Sequence, residues 1–293
     1  MEYKLFWGCT IPARIPFVEN SARKVFKKIG LNYSDLEDTT CCPDPTGLPA
    51  VDQKTWLTLG ARNLSLVNDY NNSTVISLCS GCVETLKTVN HILNVHGDKR
   101  EEVNKYLTKI GKKFSGNVPV KHVGQLIYEN LDEIKKYVVK PLKGFKVAVH
   151  YGCHFLRPSE IIEWDDPDNP KTLDEIVTAL GGESIPYDNK LECCGCPVGK
   201  SDEELSNKIT MQKLQGVADS GANCMLVVCP ACFTHLDFKQ KSLNKEMETQ
   251  FDYPVFYLTE LLALAMGFKP KDLGVRYHVV KAKKLLLELG FMD

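Results

Sequence analysis

Hydrophobic positions along this chain keep two rhythms, and the places where one gives way to the other mark its elements. Short apolar runs read as strands, each ending at a cysteine: "KLFWGC" at 4–9, "STVISLC" at 73–79, "KVAVHYGC" at 146–153 and "NCMLVVC" at 223–229. Between them the spacing lengthens to i, i+3, i+4, i+7. "NSARKVFKKIG" places Ala22, Val25, Phe26 and Ile29 on one face, and "TLDEIVTALGG" does the same with Leu173, Ile176, Val177 and Leu180. Both predict amphipathic helices. Each opens on a capping residue, Ser21 or Thr172, and closes on Gly30 or Gly181, with Thr172 and Glu175 in a capping-box pattern. "TWLTLGARNLSLVND" and "SDEELSNKITMQKLQGVADSG" are also helical in pattern, and "VPVKHV" and "YPVFYL" each lead into one more helix. "KREEVNKYLTKIGKK" adds a helix in the first half alone, and the tail from Lys269 to Asp293, rich in Leu and Lys, reads as a final helix.

The order of elements repeats, with a boundary near "VKPLKGF", about residue 144. Strands alternating with helices predict parallel βαβ units, hence an α/β fold of two pseudo-symmetric repeats. In such sheets binding sites form at the carboxyl ends of the strands. Cys9, Cys79, Cys153 and Cys229 all fall at predicted strand ends. Helix N-termini gather on the same edge, where their partial positive charge favours thiolates and anionic metal clusters.

Composition narrows the function classes. The chain has 293 residues, 43% hydrophobic and 25% charged, with a formal net charge of −1. That suits a soluble protein with a full core and gives no electrostatic reason to expect nucleic acid or an anionic membrane as partner. The N-terminus lacks a signal-peptide pattern, and no run approaches the roughly 20 apolar residues of a spanning helix, so a cytoplasmic protein is expected. Twelve cysteines are then unusual. Reducing conditions argue against a disulfide framework and turn attention to metal or redox chemistry.

Ten of the cysteines form two series. Cys9 is followed by Cys41-Cys42 and then by Cys79 and Cys82; Cys153 is followed by Cys193-Cys194 and then by Cys229 and Cys232. The single cysteine and the pair are separated by 31 and 39 residues, the pair and the C-x-x-C by 36 and 34. Cys196 and Cys224 stand outside the pattern and read as core or neighbouring thiols. A lone C-x-x-C fits a zinc knuckle, a redox pair or an iron–sulfur site. Structural zinc and conventional iron–sulfur clusters both take four ligands, whereas each half here offers five. Vicinal cysteines are poor disulfide partners, but they can bind two irons or bridge them, which suits an extended or opened cluster better than a compact zinc tetrahedron. His154, next to Cys153, is a candidate hydrogen-bond donor or proton source, and His235 also lies near the motifs.

Two C…CC…CxxC series in one chain resemble the cysteine-rich CCG domains of the B subunit of heterodisulfide reductase from methanogens. The resemblance covers nearly the whole chain and is especially close over "YKLFWGCTIPARIPFVENSARKVFKKIGLNYSDLEDTTCCPDPTG". One departure is Pro43, which follows the first pair where the motif has glycine; Cys193-Cys194-Gly195 conforms. The resemblance implies two small parallel-sheet, Rossmann-like CCG domains with helices, at 1–144 and 145–293. It implies two noncubane [4Fe-4S] clusters, each held by the five cysteines of one half. It implies reduction of the coenzyme M–coenzyme B heterodisulfide to two thiols. The implied partners are the flavoprotein and the ferredoxin-like subunits of the reductase, with a hydrogenase in hydrogen-using organisms.

Splitting a disulfide takes two electrons and two protons, so two facing halves with one cluster each are an economical expectation. The coenzymes are anionic and need cations, for which Arg14, Arg157 and Lys200 are candidates by their nearness to Cys9, Cys153 and the second pair. Two other readings remain: a CCG subunit of a 2-hydroxy-acid or quinone-linked oxidoreductase, and a zinc-stabilised docking scaffold.

Overall fold

The computed structural model describes residues 2–67 and 73–292. It contains two four-stranded sheets, parallel throughout. The first is built from β1 (Tyr3–Phe6), β2 (Tyr33–Asp35), β3 (Thr74–Ser77) and β4 (Val120–His122). The second is built from β5 (Lys146–His150), β6 (Glu183–Ser184), β7 (Cys224–Val227) and β8 (Val255–Tyr257). Their spatial orders, β2-β1-β3-β4 and β6-β5-β7-β8, are the same arrangement twice. The central strands β3 and β7 are buried along their whole length, as expected for parallel strands covered on both faces. The α/β class and the repeat therefore stand as the sequence predicts.

Corresponding helices follow corresponding strands. The helices Gln53–Ser65 and Glu203–Ser220 are each N-capped by aspartate, with Asp52 accepting from the Thr55 N–H and Asp202 from the Leu205 N–H. Asn68 and Asp69, which the apolar pattern places at the end of the former helix, lie outside the described residues. Ser80–Val95 and Pro230–Glu246 start directly at Cys79 and Cys229. The extra helix of the first half is Gly97–Leu107, extended by a short 3-10 turn at Thr108–Ile110.

The chain forms two compact units, each assembled from separate segments. One consists of the stretch up to Ala13, Asn32–Leu126 and His154–Trp164; the other of Arg14–Leu31, Ile127–Cys153 and the chain from Asp165 onward. The helix Pro16–Lys28 thus belongs with the second sheet. There Phe17 packs edge-on against Phe233 with ring centroids 5.6 Å apart. In the first unit the short helix Ser159–Ile162 receives the Lys87 ammonium on its Ile162 carbonyl.

Three local expectations are corrected. Ser21 is not a cap: the helix begins at Pro16, and the buried Ser21 hydroxyl lies 2.7 Å from that of Thr259. Pro16 starts the helix five residues earlier because proline is well placed in a first turn. Thr172 and Glu175 form no capping box. Instead Asp165 accepts from the Lys171 and Thr172 N–H groups and from the Thr172 hydroxyl, so a carboxylate from upstream satisfies the free donors. The tail from Lys269 is broken into Pro270–Leu273, a 3-10 turn at Val275–Tyr277 and the helix Lys283–Glu288, with Asp293 outside the described residues. Gly274 ends the first piece at φ +79. The Val279 and Val280 N–H groups then donate to the Asp237 carboxylate, which takes them away from any helical ladder.

Candidate metal centres

In the first unit the five cysteines converge beyond the carboxyl ends of β1 and β3. Cys9 lies just past β1, Cys79 is the N-cap of Ser80–Val95, and Cys82 occupies the first turn of that helix. The Cys41-Cys42 pair arrives on the loop before the helix Gln53–Ser65 and is fixed by Asn63. The Asn63 amide donates to the Cys41 carbonyl at 3.1 Å, and its Oδ1 accepts the Thr40 N–H at 2.9 Å. Pro43 does not disturb this arrangement; its carbonyl accepts from the buried Thr85 hydroxyl at 2.9 Å.

The sulfurs form one connected string. Cys41 Sγ is 3.8 Å from Cys9 Sγ, and thiol hydrogen bonds join Cys41 to Cys42, Cys42 to Cys82 and Cys82 to Cys79, all of them free cysteines. The second unit repeats the order. Thiol hydrogen bonds join Cys153 to Cys193, Cys193 to Cys194, Cys194 to Cys232 and Cys232 to Cys229. All ten series cysteines are thus brought together, five to each unit. Cys224 lies apart, buried in β7 with its thiol toward the Lys146 carbonyl, and burial pushes that thiol up.

Such strings cannot ionise freely. The Cys41 and Cys82 thiols donate to Cys42 and pull it down to about 5, while the hydrogen bond to Cys42 raises both donors. Bonds from Cys153 and Cys194 likewise pull Cys193 down to about 2, and Cys153, Cys194 and Cys232 move up. Like charges this close ionise together only around a cation. Five soft donors, three of them buried in the second set, therefore suit thiophilic metal or an iron–sulfur cluster. The backbone passes close beside the sulfurs. Gly8 and Gly152 both take positive φ, and a Cβ at Gly8 would come within 2.9 Å of Cys82 Sγ.

The environments differ between the units. In the second, Gly195 turns the pair at φ +94, where a Cβ would meet the Thr210 hydroxyl at 2.8 Å. Thr210 in turn donates to the Cys194 carbonyl and contacts His235 Nε2 at 2.9 Å. Burial, followed by Lys239, pulls His235 down to about 4. Lys213, fully buried where the first unit has Asn63, donates to the Asn189 carbonyl, and burial lowers its ammonium to about 8. His150, at the end of β5, lies with Cys194 and Cys232 so that its ring nitrogen and their sulfurs fall within 4.8 Å of one another. Burial holds its imidazole neutral by pulling it down to about 3.

Lys213 and His150 are not among the sequence-predicted site residues. His150 closes an otherwise apolar strand and Lys213 lies on the buried face of its helix, and comparison of the repeats is the signal that finds them. His150 stands where the first repeat has Phe6, and Lys213 where it has Asn63.

Other predicted site residues are spread out. His154 is half-buried in the first unit, where its charge lowers Glu84 against the larger rise caused by burial. Arg14, Arg157 and Lys200 are all exposed. A surface cleft in the second unit, lined by residues such as Lys241, Asn244 and Phe251, has no cysteine in its wall. No helix among the described residues is long and apolar enough to cross a membrane.

Comparison with known proteins places this geometry in context. Residues 3–87 and 147–237 each match the cysteine-rich domain, CCG. The B subunit of the ferredoxin:CoB-CoM heterodisulfide reductase of Methanosarcina mazei is 32% identical, over 98% of this chain and 97% of its own. A protein of Archaeoglobus profundus described as like the B subunit of heterodisulfide reductase is 35% identical over 94% and 93%. The "8-methylmenaquinol:fumarate reductase membrane anchor subunit" of Wolinella succinogenes is 31% identical over 97% and 99%. Among solved structures, a hypothetical protein from Helicobacter pylori superposes with a TM-score of 0.75 at 15% identity, over 96% of this chain and 52% of that one; it supports the fold alone.

Proposed function

We propose, for a chain that belongs to the cysteine-rich CCG-domain family and is an iron–sulfur protein of the kind found as the B subunit of heterodisulfide reductases, that it is the subunit that reduces the coenzyme M–coenzyme B heterodisulfide. The observation that carries this reading is the sulfur string of five cysteines, formed in the same order in both units. A duplicated five-thiol site exceeds what a structural zinc or a closed four-ligand relay cluster uses.

On this reading Cys9, Cys41, Cys42, Cys79 and Cys82 hold one noncubane [4Fe-4S] cluster, and Cys153, Cys193, Cys194, Cys229 and Cys232 hold the other. When bound, such clusters supply electrons singly and offer iron to sulfur. The reaction consumes two electrons and two protons; the S–S bond breaks and each sulfur leaves as a thiol. The chain's own contribution is to fix the cysteines through Asn63, Thr85, Thr210 and Gly195 and to keep three of the second five buried away from water. His154 delivers a proton, and Arg14, Arg157 and Lys200 attract the sulfonate, phosphate and carboxylate groups of the coenzymes. The assembly includes the flavoprotein and the ferredoxin-like subunits of the reductase, with a hydrogenase in hydrogen-using organisms, and works in the cytoplasm.

The Wolinella relative supports a second reading, electron transfer with a quinone. Anaerobic turnover with a reduced dye separates the two. Release of both thiols from the heterodisulfide is expected; turnover with a menaquinone analogue and none with the heterodisulfide favours the quinone reading.

A further inference from the structure

Two strands that occupy the same place in the two repeats end differently. β1 ends at Phe6 and is followed by Trp7, Gly8 and Cys9; β5 ends at His150 and is followed by Tyr151, Gly152 and Cys153. The ring tips fill equivalent space. A Cβ on Gly8 would lie 3.9 Å from Phe6 Cε1, and one on Gly152 would lie 3.7 Å from His150 Nε2 and 3.6 Å from Cys232 Sγ. An imidazole therefore stands beside the sulfurs of the second unit where the first unit has a phenyl ring.

This imidazole is anomalous as an ordinary core residue. His150 is 1% exposed, and neither ring nitrogen has a hydrogen-bond partner among the described residues. Leaving a buried polar group unpaired costs about 1–3 kcal/mol, and phenylalanine at the same position avoids that cost in the first unit. Its nearest chemistry is the Cys194–Cys232 pair, within 4.8 Å. A neutral imidazole carries one N–H. The ring therefore holds an uncommitted donor within reach of the Cys194 and Cys232 sulfurs.

We infer that His150 donates its ring N–H to a sulfur of the iron–sulfur centre in the second unit, and that the two centres are consequently unequal, with the second reduced more easily than the first. The inference rests on the reading of the ten cysteines as cluster ligands. Hydrogen bonds to cluster sulfurs are one of the determinants of reduction potential, because they stabilise the more negative, reduced state. The buried Lys213 ammonium, which donates to the Asn189 carbonyl four residues before Cys193 and is replaced by Asn63 in the first unit, acts in the same direction.

The test uses the full chain, purified and kept without air. In protein carrying ¹⁵N-histidine, pulsed electron paramagnetic resonance of the reduced chain should give the weak nitrogen coupling of a hydrogen-bonded ring, lost in His150→Gln. Redox titration of His150→Phe, which installs the residue of the first unit, should leave iron and sulfide content intact. The equilibrium constant for reduction of one centre should fall about tenfold, which is 59 mV for a one-electron couple, while the other centre is unmoved. His150→Gln keeps an N–H donor and should fall between wild type and His150→Phe. Absence of any histidine coupling in the wild type, or the strong coupling of a directly bound nitrogen, overturns the inference, whether or not His150→Phe assembles. Unchanged potentials in a fully loaded His150→Phe overturn it too. A wild-type chain without iron and sulfide refutes the cluster reading itself, whereas a loaded chain without the coupling refutes only the role of His150.

Discussion

Asn63 holds the first cysteine pair by the backbone: its side chain donates to the Cys41 carbonyl at 3.1 Å and accepts the Thr40 N–H at 2.9 Å. Asn63 is itself 1% exposed. Asn63→Leu keeps the volume and strands both backbone groups, at about 1–3 kcal/mol each. Chemical denaturation should register a loss of about 2–6 kcal/mol. Chelator challenge should release iron from one centre faster than from wild type. Unchanged stability together with an unchanged release rate contradicts the role assigned to Asn63.

The two sulfur strings are separate sets, so damage to one should spare the other. Cys42→Ala and Cys194→Ala are each expected to abolish one centre and leave the second detectable by electron paramagnetic resonance. Cys224→Ala, which removes a thiol buried in β7 outside either string, should retain the iron and sulfide of wild type. Loss of both centres in either pair mutant, or of one in Cys224→Ala, counts against the division into five and five.

A buried ion pair in the second unit sets a pH dependence. His278 Nε2 lies 2.9 Å from Glu260 Oε1, and both side chains are fully buried. Burial alone would pull His278 down, but Glu260, with Asp237 adding and Lys281 opposing, outweighs it and raises the imidazole above its ordinary 6.5. The folded state therefore binds the proton more tightly than the unfolded state. This stabilisation is full below about 6.5, the unfolded value, and is lost as pH rises through the elevated folded value. Denaturant titrations from pH 6 to 9 should show the decline, and His278→Gln should flatten it. Glu260→Gln, which leaves the imidazolium without its partner, should cost about 3–5 kcal/mol at pH 6.

The sequence carried the architecture well where the signal was local. The strand and helix rhythm identified the parallel repeat, and the recurrent cysteine spacing identified which sulfurs come together. It failed where the deciding partner is remote in sequence. Ser21 looks like a cap because the hydroxyl of Thr259 that occupies it is far along the chain. Asp165, not Thr172, serves the start of its helix because it folds back over seven residues. The tail pattern is helical, yet Asp237 takes two of its N–H groups. The placement of 14–31 and 127–144 in the second compact unit and of 154–164 in the first leaves no trace in spacing at all. His150 was visible in principle, as a polar residue closing an apolar strand, but only comparison with Phe6 gives it meaning.

The exposed cations are expected to act on binding. Arg14→Ala and Arg157→Ala each remove one charged contact, for which about 1.5–3 kcal/mol is typical. The apparent KM for the heterodisulfide should rise about tenfold or more, with kcat and iron content close to wild type. Lys200→Ala should have a smaller effect, since an ammonium makes no fork-shaped contact. An unmoved KM in both arginine variants removes these residues from the substrate site.

The most direct measurement is metal and acid-labile sulfide analysis of the chain purified without air. Iron and sulfide in equal amounts, about eight of each per chain for two four-iron clusters, with negligible zinc, is the expected result. About two zinc ions per chain and no sulfide would contradict the assignment of the two five-cysteine sets to iron–sulfur chemistry.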